Sequence, residues 1–429
     1  MKKAASHAAP IDQEKPLRRI GAIIAIGLLW TASAGAVEPP RTQQALADRG
    51  CAVLAKRVND LPGAGPAFLP SFDAENGQGP NDNPALASAA FTYDNALAII
   101  ALVACGQEAQ AKRLGDALAD AATNDRAGAQ GRLRNAYRAG AQDHGPLPNG
   151  WWDPARQQWL EDDYQVGTAT GNVAWGTLAL LTLADHTHNR RYGLAAAKLG
   201  QWAIDHTLDK RGAGGFTGGI FGGEATPQTL TWKSTEHNID LEAAFRWLAR
   251  TGLPGEWAQA AQTARRFIEA QWDDASGHFL IGSTPDGVTG NRATSGLDVQ
   301  FWALLLPQAP DKWRRALTYA QNAHGFAQGF AFNDDKSGMW TEGTAQAALA
   351  FQAAGQMDRA KYYLTSVAQQ FSSGGYLWAT PQARVSTGLM IGPNSLAPDF
   401  FYYHLPHLGA TAWAVIAAKG WNPFIGRPL

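Results

Sequence analysis

Thr235-Glu236-His237-Asn238-Ile239-Asp240 is a dense polar, acid-bearing turn that runs into a mostly apolar helix, and it is one of six such announcements along the chain. The others are Tyr93-Asp94-Asn95-Ala96-Leu97-Ala98, Thr170-Gly171-Asn172-Val173-Ala174-Trp175, Ser295-Gly296-Leu297-Asp298-Val299-Gln300, Thr341-Glu342-Gly343-Thr344-Ala345-Gln346 and Leu408-Gly409-Ala410-Thr411-Ala412-Trp413. The helices they open, predicted near 91–103, 170–183, 235–249, 294–306, 341–353 and 408–419, are nearly free of charge beyond the first turn. A helix apolar all round is buried.

Working outward, each announced helix has an amphipathic companion, predicted near 42–58, 107–123, 189–207, 256–272, 311–323 and 357–372. In Glu256-Trp257-Ala258-Gln259-Ala260-Ala261-Gln262-Thr263-Ala264-Arg265-Arg266-Phe267 the apolar residues recur at helical spacing, which leaves one wet face. Six buried helices alternating with six amphipathic ones predict an all-α fold, an (α/α)6 toroid with an inner ring inside an outer ring. Links leaving the inner helices are short. Links entering them, about 59–90, 124–169, 208–234, 273–293, 324–340 and 373–407, are long. Long connections in compact domains tend to be functional. All six must gather on the face where the inner-helix N-termini open.

The chain has 429 residues, a formal net charge of −1 and two cysteines. It carries no basic stripe, so counterion release from a phosphate backbone has little to act on and nucleic acid is not the expected partner. Lys15, Arg18 and Arg19, the apolar run Ile20 to Trp30 and Ala34-Gly35-Ala36 have the layout of a secretory signal. Residues 1–36 are therefore expected to be a removed leader and 37–429 a single domain, periplasmic or secreted. The apolar run is short of the ~20 residues that span a bilayer, so no membrane association is expected after removal. Export would permit a Cys51 to Cys105 disulfide, while two buried thiols remain an equal alternative.

The long links share an Asp- or Gly-rich turn followed by an aromatic residue, as in Asp153 to Trp159, Asp274 to Phe279 and Asp335 to Trp340. Turn chemistry alone would produce each copy. The links also hold Trp151, Trp152, Trp159, Trp232, Trp340 and Trp378, with Tyr164, Phe401, Tyr402 and Tyr403 beside them. Flat rings with a polar handle around an acid-lined opening suit the C–H face of a pyranose, so the expected partner is a carbohydrate. Trp152, Trp159, Trp232, Trp340, Trp378, Tyr164 and Tyr402, with His237, Asp240 and Asp163, are the candidate substrate contacts.

Asp94, Glu236, Asp240, Asp298 and Glu342 sit in or near the first turns of four inner helices. Each alone is accounted for by capping and the helix dipole. Together they converge on one funnel, where neighbouring acids raise one another's pKa and separate a protonated donor from an ionised base. Glycoside hydrolysis needs that pair. Glu236 is the first candidate for general acid, Asp298 and Glu342 are the candidates for base, and Asp94 either positions substrate or exchanges roles with one of them. His237 can serve as an acid, a sugar ligand or a core histidine. The chain has no G-x-S-x-G elbow, H-E-x-x-H, Walker loop or Cys cluster. No cofactor and no metal is expected; Asp273-Asp274 and Asp334-Asp335 lack the spacing of a calcium loop and read as turns.

The alternation of inner and outer helices, with Tyr93-Asp94, Thr235 to Asp240, Trp340 to Gln346 and the closing Trp421-Asn422-Pro423-Phe424, resembles the six-hairpin glycosidase superfamily, and within it an exported bacterial branch. The resemblance implies a carbohydrate cleft at the inner-helix N-termini and commonly an inverting two-carboxylate mechanism. It also leaves open a polysaccharide lyase or sugar epimerase, for which His237 with Tyr164 or Tyr402 would matter more. Arg132, Arg134, Arg138 and Arg384 would then meet an acidic substrate. A non-catalytic glycan-binding protein of an exopolysaccharide system is the third reading. Sugar, linkage and oligomeric state are not legible.

Overall fold

The structure is a computed structural model that describes residues 43–75, 83–125 and 131–429. The expected leader over residues 1–36 lies outside the described residues.

Among the described residues, twelve helices form the frame. In chain order they are α1 (Gln43–Asp60), α2 (Thr92–Ala104), α3 (Glu108–Asn124), α4 (Thr170–Thr187), α5 (Arg190–Thr207) and α6 (Thr235–Leu248). They continue with α7 (Trp257–Ala270), α8 (Asp298–Trp302), α9 (Arg315–Ala323), α10 (Thr341–Ala353), α11 (Met357–Ala368) and α12 (Leu408–Ala418). The even-numbered helices pack in sequence, α2 on α4, α4 on α6, and so on to α12, which returns to α2 and closes the ring. Each odd-numbered helix lies outside: α3 against α2, α5 against α4, α7 against α6, α9 against α8, α11 against α10, and α1 against α12. This is the all-α (α/α)6 toroid that the alternation predicts.

The burial pattern explains the layering. Every residue of α4 from Thr170 to Leu183 is buried, whereas α7 buries Trp257, Ala260, Ala261, Thr263, Ala264, Phe267 and Ile268 and leaves its opposite face wet. Small residues set the helix spacing. A Cβ on Gly115 of α3 would stand 2.0 Å from Leu183 Cδ1 of α4, so a larger residue there would force the two helices apart. The predicted and observed helices agree closely except at α8. There the expected helix over 294–306 shrinks to five residues and a 3-10 turn, Ala303–Leu305, before Leu306 turns extended with ψ 143°. Leu306 precedes Pro307, and the proline ring disfavours a helical residue at that position.

Cys51 of α1 and Cys105, the residue after α2, are joined as a disulfide with Cα atoms 5.8 Å apart. The long links fold into small hairpins. Trp151–Asp153 pairs with Gln158–Leu160, Trp272–Asp273 with His278–Phe279, and Thr168–Ala169, Gly219–Phe221 and Gln228–Leu230 form a three-stranded sheet. Their turn aspartates are occupied locally: Asp153 Oδ1 accepts from the N–H groups of Ala155 and Arg156, and Asp273 Oδ1 from those of Ala275 and Ser276. Among the described residues, no helix is long and apolar enough to cross a membrane.

Candidate functional site

The first turns of four inner helices place Asp94 on α2, Glu236 and Asp240 on α6, Asp298 on α8 and Glu342 on α10. Their electrostatics show that they share one space. Burial first, then the charges of Asp298 and Glu342, push Glu236 well above the usual carboxylate range. Asp240, one helical turn below Glu236, is raised by burial and then by Glu236 and Asp298. The Trp175 indole draws Asp240 down a little yet stops short of hydrogen-bond geometry, and both oxygens of this fully buried carboxyl are unpartnered. Asp298 is lifted by burial to about 6, against the pull of the Val299 N–H, which bonds its Oδ1 at 2.7 Å. Burial carries Glu342 up to about 7, opposed by His407 and by the Tyr93 hydroxyl.

A hydrogen-bonded cluster holds the Glu342 side of the funnel. Tyr93 donates to Glu342 Oε1 at 2.6 Å and accepts from Trp413 Nε1 at 2.8 Å, and the Gln346 amide adds a third bond at 3.2 Å. His407 is the N-cap of α12: its Nδ1 accepts the Ala410 N–H at 3.3 Å, so Nε2 carries the proton and faces Asp94 Oδ2 at 3.3 Å. Burial would lower His407, but Asp94 and Glu342 outweigh it and the net shift is upward. Gly409 leaves the room this needs. A Cβ there would lie 2.6 Å from Asp94 Oδ1, 2.9 Å from His407 Cε1 and 3.1 Å from Glu342 Oε2.

Aromatic rings make the walls and floor. Tyr402 lies 5.4 Å from Trp340 and 5.9 Å from His407 between ring centroids, and Tyr164 lies 6.2 Å from Phe400. Burial, then Glu342, Asp94 and Glu236, raise the Tyr402 hydroxyl; burial, then Glu236, raises that of Tyr164, so both stay protonated. Beneath them Trp175, Trp302, Trp413 and Phe424 pack with centroids 5.2 to 6.0 Å apart.

The remaining expected contacts divide. His237 is buried, held down to about 4 by desolvation and therefore neutral at pH 7, with an unpartnered Nδ1 and the Trp232 ring 5.7 Å away. Trp340 is only 2% exposed, so it backs Tyr402 and offers no face of its own. Trp378 stacks on His404 at 4.0 Å. Trp152 and Trp159 face each other across their hairpin at 56% and 43% exposure, outside the acid cluster. Asp163 is exposed, with its neighbour Asp162 capping the turn Asp163–Val166. Of the arginines expected for an acidic substrate, Arg134 is fully buried on Asp125 and Glu224, and Arg132 is spent on Thr168 and Val166. Arg138 and Arg384 instead lie over the rings of Trp159 and Phe401.

The sequence reading named neither Tyr93, His407, Gln346 nor Gly409 as a site residue. The one local signal was position: Tyr93 precedes Asp94, and His407 precedes the last inner helix. Among the described residues, no group of three His, Cys, Asp or Glu is placed to hold a metal ion. What the arrangement can do is hold one carboxyl protonated beside another that is ionised at neutral pH, above a layer of packed rings.

No family model matches the sequence, and no curated protein does. Solved structures match it in shape. A cellobiose 2-epimerase from Spirochaeta thermophila DSM 6192 is similar with a TM-score of 0.60 at 14% identity, over 88% of this chain and 95% of that one. A wild-type glycosidase is similar at a TM-score of 0.57 and 14% identity, over 90% and 98%. A D-mannose isomerase is similar at 0.58 and 12%, over 88% and 96%. At such identities the likeness establishes the fold, an (α/α)6 toroid.

Proposed function

We propose that the protein is a sugar-active enzyme that hydrolyses a glycosidic bond of an oligo- or polysaccharide. Glu236 acts as general acid and Asp298 as the base that activates water. The observation that carries this reading is the convergence of Glu236, Asp298 and Glu342 from three neighbouring inner helices into one electrostatically coupled cluster. Glu236 keeps its proton at neutral pH and can give it to the leaving oxygen. Asp298, at about 6, is mostly ionised and can take a proton from water. Glu342, held by Tyr93 and Gln346, tunes Glu236 through its charge. Asp94 and the unpartnered oxygens of Asp240 and Glu342 stand ready for sugar hydroxyls. An inverting outcome is expected. A similar structure is described as a glycosidase in complex with glucose, which agrees with a sugar at such a site.

The leader layout and the Cys51–Cys105 disulfide support action in the periplasm or outside the cell. A sugar epimerase is the second reading, favoured by the neutral His237 with its free Nδ1, a base able to take a proton from carbon.

Reducing-end release from a panel of neutral and uronate-containing glycans tests the proposal, with the mature protein beside Glu236→Gln and unsaturated-product absorbance in the same wells. Release by the wild type alone, without unsaturated product, is expected. Deuterium entering the sugar carbon without cleavage would move the assignment to an epimerase, and unsaturated product to a lyase.

A further inference from the structure

We propose that residues 387–400 form a strap across the mouth of the toroid, closing it to a blind pocket that admits the end of a linear glycan and excludes its middle. The chain-end part of this inference rests on the hydrolase reading above; the closure does not.

The strap grows from a hairpin that belongs to the link entering α12, in which Arg384–Ser386 pairs with Phe401–Tyr403. Its root is tied to the link entering α10, where the Ser386 N–H donates to Ser337 Oγ at 3.0 Å. Gly388 is pressed on Asn333 and Thr294, ahead of α10 and α8: a Cβ there would meet Asn333 Nδ2 at 2.5 Å and Thr294 Oγ1 at 3.1 Å. The tip reaches elsewhere. A Cβ on Gly392 would stand 2.7 and 2.9 Å from ring carbons of Phe221, which lies in the link entering α6, at the end of the strand whose Gly219 and Ile220 pair with Thr168–Ala169 at the entry to α4. On the way back Phe400 contacts Tyr164 and Tyr402.

In the closed order α2, α4, α6, α8, α10, α12, the entry to α10, on which Gly388 is pressed through Asn333, lies opposite the entry to α4, which Phe400 reaches at Tyr164. A segment touching both sides spans the mouth into which the acids open. Most of the acids are covered: Asp94, Asp240, Asp298 and Glu342 are each 5% exposed or less, and Glu236 alone of the five is partly exposed. The strap is also preformed. Asp399 accepts the Ile391 N–H at 2.7 Å and the Ser395 hydroxyl at 2.7 Å, and Thr387 bonds the Phe400 carbonyl through its N–H and its hydroxyl. A fixed bar over a pocket leaves no groove for a chain to run through. Action from a chain end follows.

The test compares the mature protein with two strap variants, Gly392→Trp, which cannot seat on Phe221, and a shortened strap in which 389–398 becomes Gly-Ser-Gly; melting curves confirm that each is folded. Carbodiimide coupling of glycinamide to Glu236 and Asp298, read by peptide mass spectrometry, reports closure without turnover. Coupling is expected to be roughly ten-fold faster in both variants, as for groups protected by a locally closed segment; equal rates overturn the strap. On a glycan the enzyme cleaves, the wild type is expected to release small sugars with no early fall in polymer mass, and the shortened strap to cut internally. Early loss of polymer mass with the wild type overturns chain-end action. Failure to cleave any glycan removes the hydrolase reading and the chain-end action that rests on it, while the labelling still decides closure.

Discussion

The Tyr93 hydroxyl donates to Glu342 Oε1 at 2.6 Å while the Trp413 indole donates to it, so one side chain fixes the carboxylate of α10 from the first turn of α2. That bond favours the ionised form of Glu342, whose charge in turn raises Glu236. In Tyr93→Phe, Glu342 holds its proton above about 7 and relieves Glu236 of a negative neighbour. The basic limb of kcat against pH is expected to move down, with a loss of roughly ten-fold in rate for ~1.4 kcal/mol of misplaced charge. The Trp413 N–H is left without its acceptor, at a stability cost of about 1 to 3 kcal/mol. A pH–rate profile beside a denaturant titration checks both.

Glu342 costs the fold stability at neutral pH. Unfolded, its carboxyl loses a proton near 4.5; folded, near 7. Between these values the unfolded chain binds fewer protons, so stability falls as pH rises and the whole penalty is present above about 7. It is on the order of 3 kcal/mol. Glu342→Gln is expected to melt higher than the wild type at pH 8 and to show no gain below pH ~4.5. Thermal melts at the two pH values decide it.

Asp298 titrating at about 6 sets the acid side of activity. The ratio kcat/KM is expected to rise through pH 6 and then level, because the base works only when ionised. Asp298→Asn should abolish that rise and, like Glu236→Gln, cost about 10² to 10⁴ in rate with the fold intact. A residual rate without an acid limb in Asp298→Asn, together with an unchanged acid limb in Glu236→Gln, is the expected pair of profiles.

Gly409→Ala adds one methyl group between Asp94, His407 and Glu342, closer to Asp94 and His407 than real Cβ contacts come and tight against Glu342. The carboxylates must give way. Overpacking of this kind costs about 1 to 3 kcal/mol. Substrate affinity and rate are expected to fall together, while Gly63→Ala at an open surface turn changes neither; steady-state kinetics on the two proteins check this.

Removing the Cys51–Cys105 bridge frees a loop with a sequence separation of 54 residues. Chain-entropy reasoning puts the loss at about 4 kcal/mol. Cys105→Ser is expected to unfold at lower denaturant with the active site unchanged, and dithiothreitol to move the wild type toward it.

The helices were legible because their signals are local. Burial over Thr170–Leu183 of α4 and along one stripe of α7 follows from side-chain spacing of 3.6 residues, and an acid in the first turn marks four of the six buried starts. Even the stop of α8 at Leu306 has a local cause in Pro307, visible in the sequence once the proline is weighed against the apolar run. The role of Trp340 was not legible. An indole beside Glu342 reads as a sugar platform, yet Tyr402 from a distant link covers it.

From its amino acids alone, the chain determined the paired helices, the side on which the long links gather and the acids that enter the funnel, since each depends on neighbours a few residues apart. The tertiary structure decided which acids are held and by what: Tyr93 meets Glu342 across 249 residues and His407 meets Asp94 across 313. It also decided that Arg134 is spent on Asp125 and Glu224 and that the segment around Gly392 reaches Phe221. The physical reason is ring closure, which brings α12 back to α2 and makes neighbours of groups that no local periodicity relates.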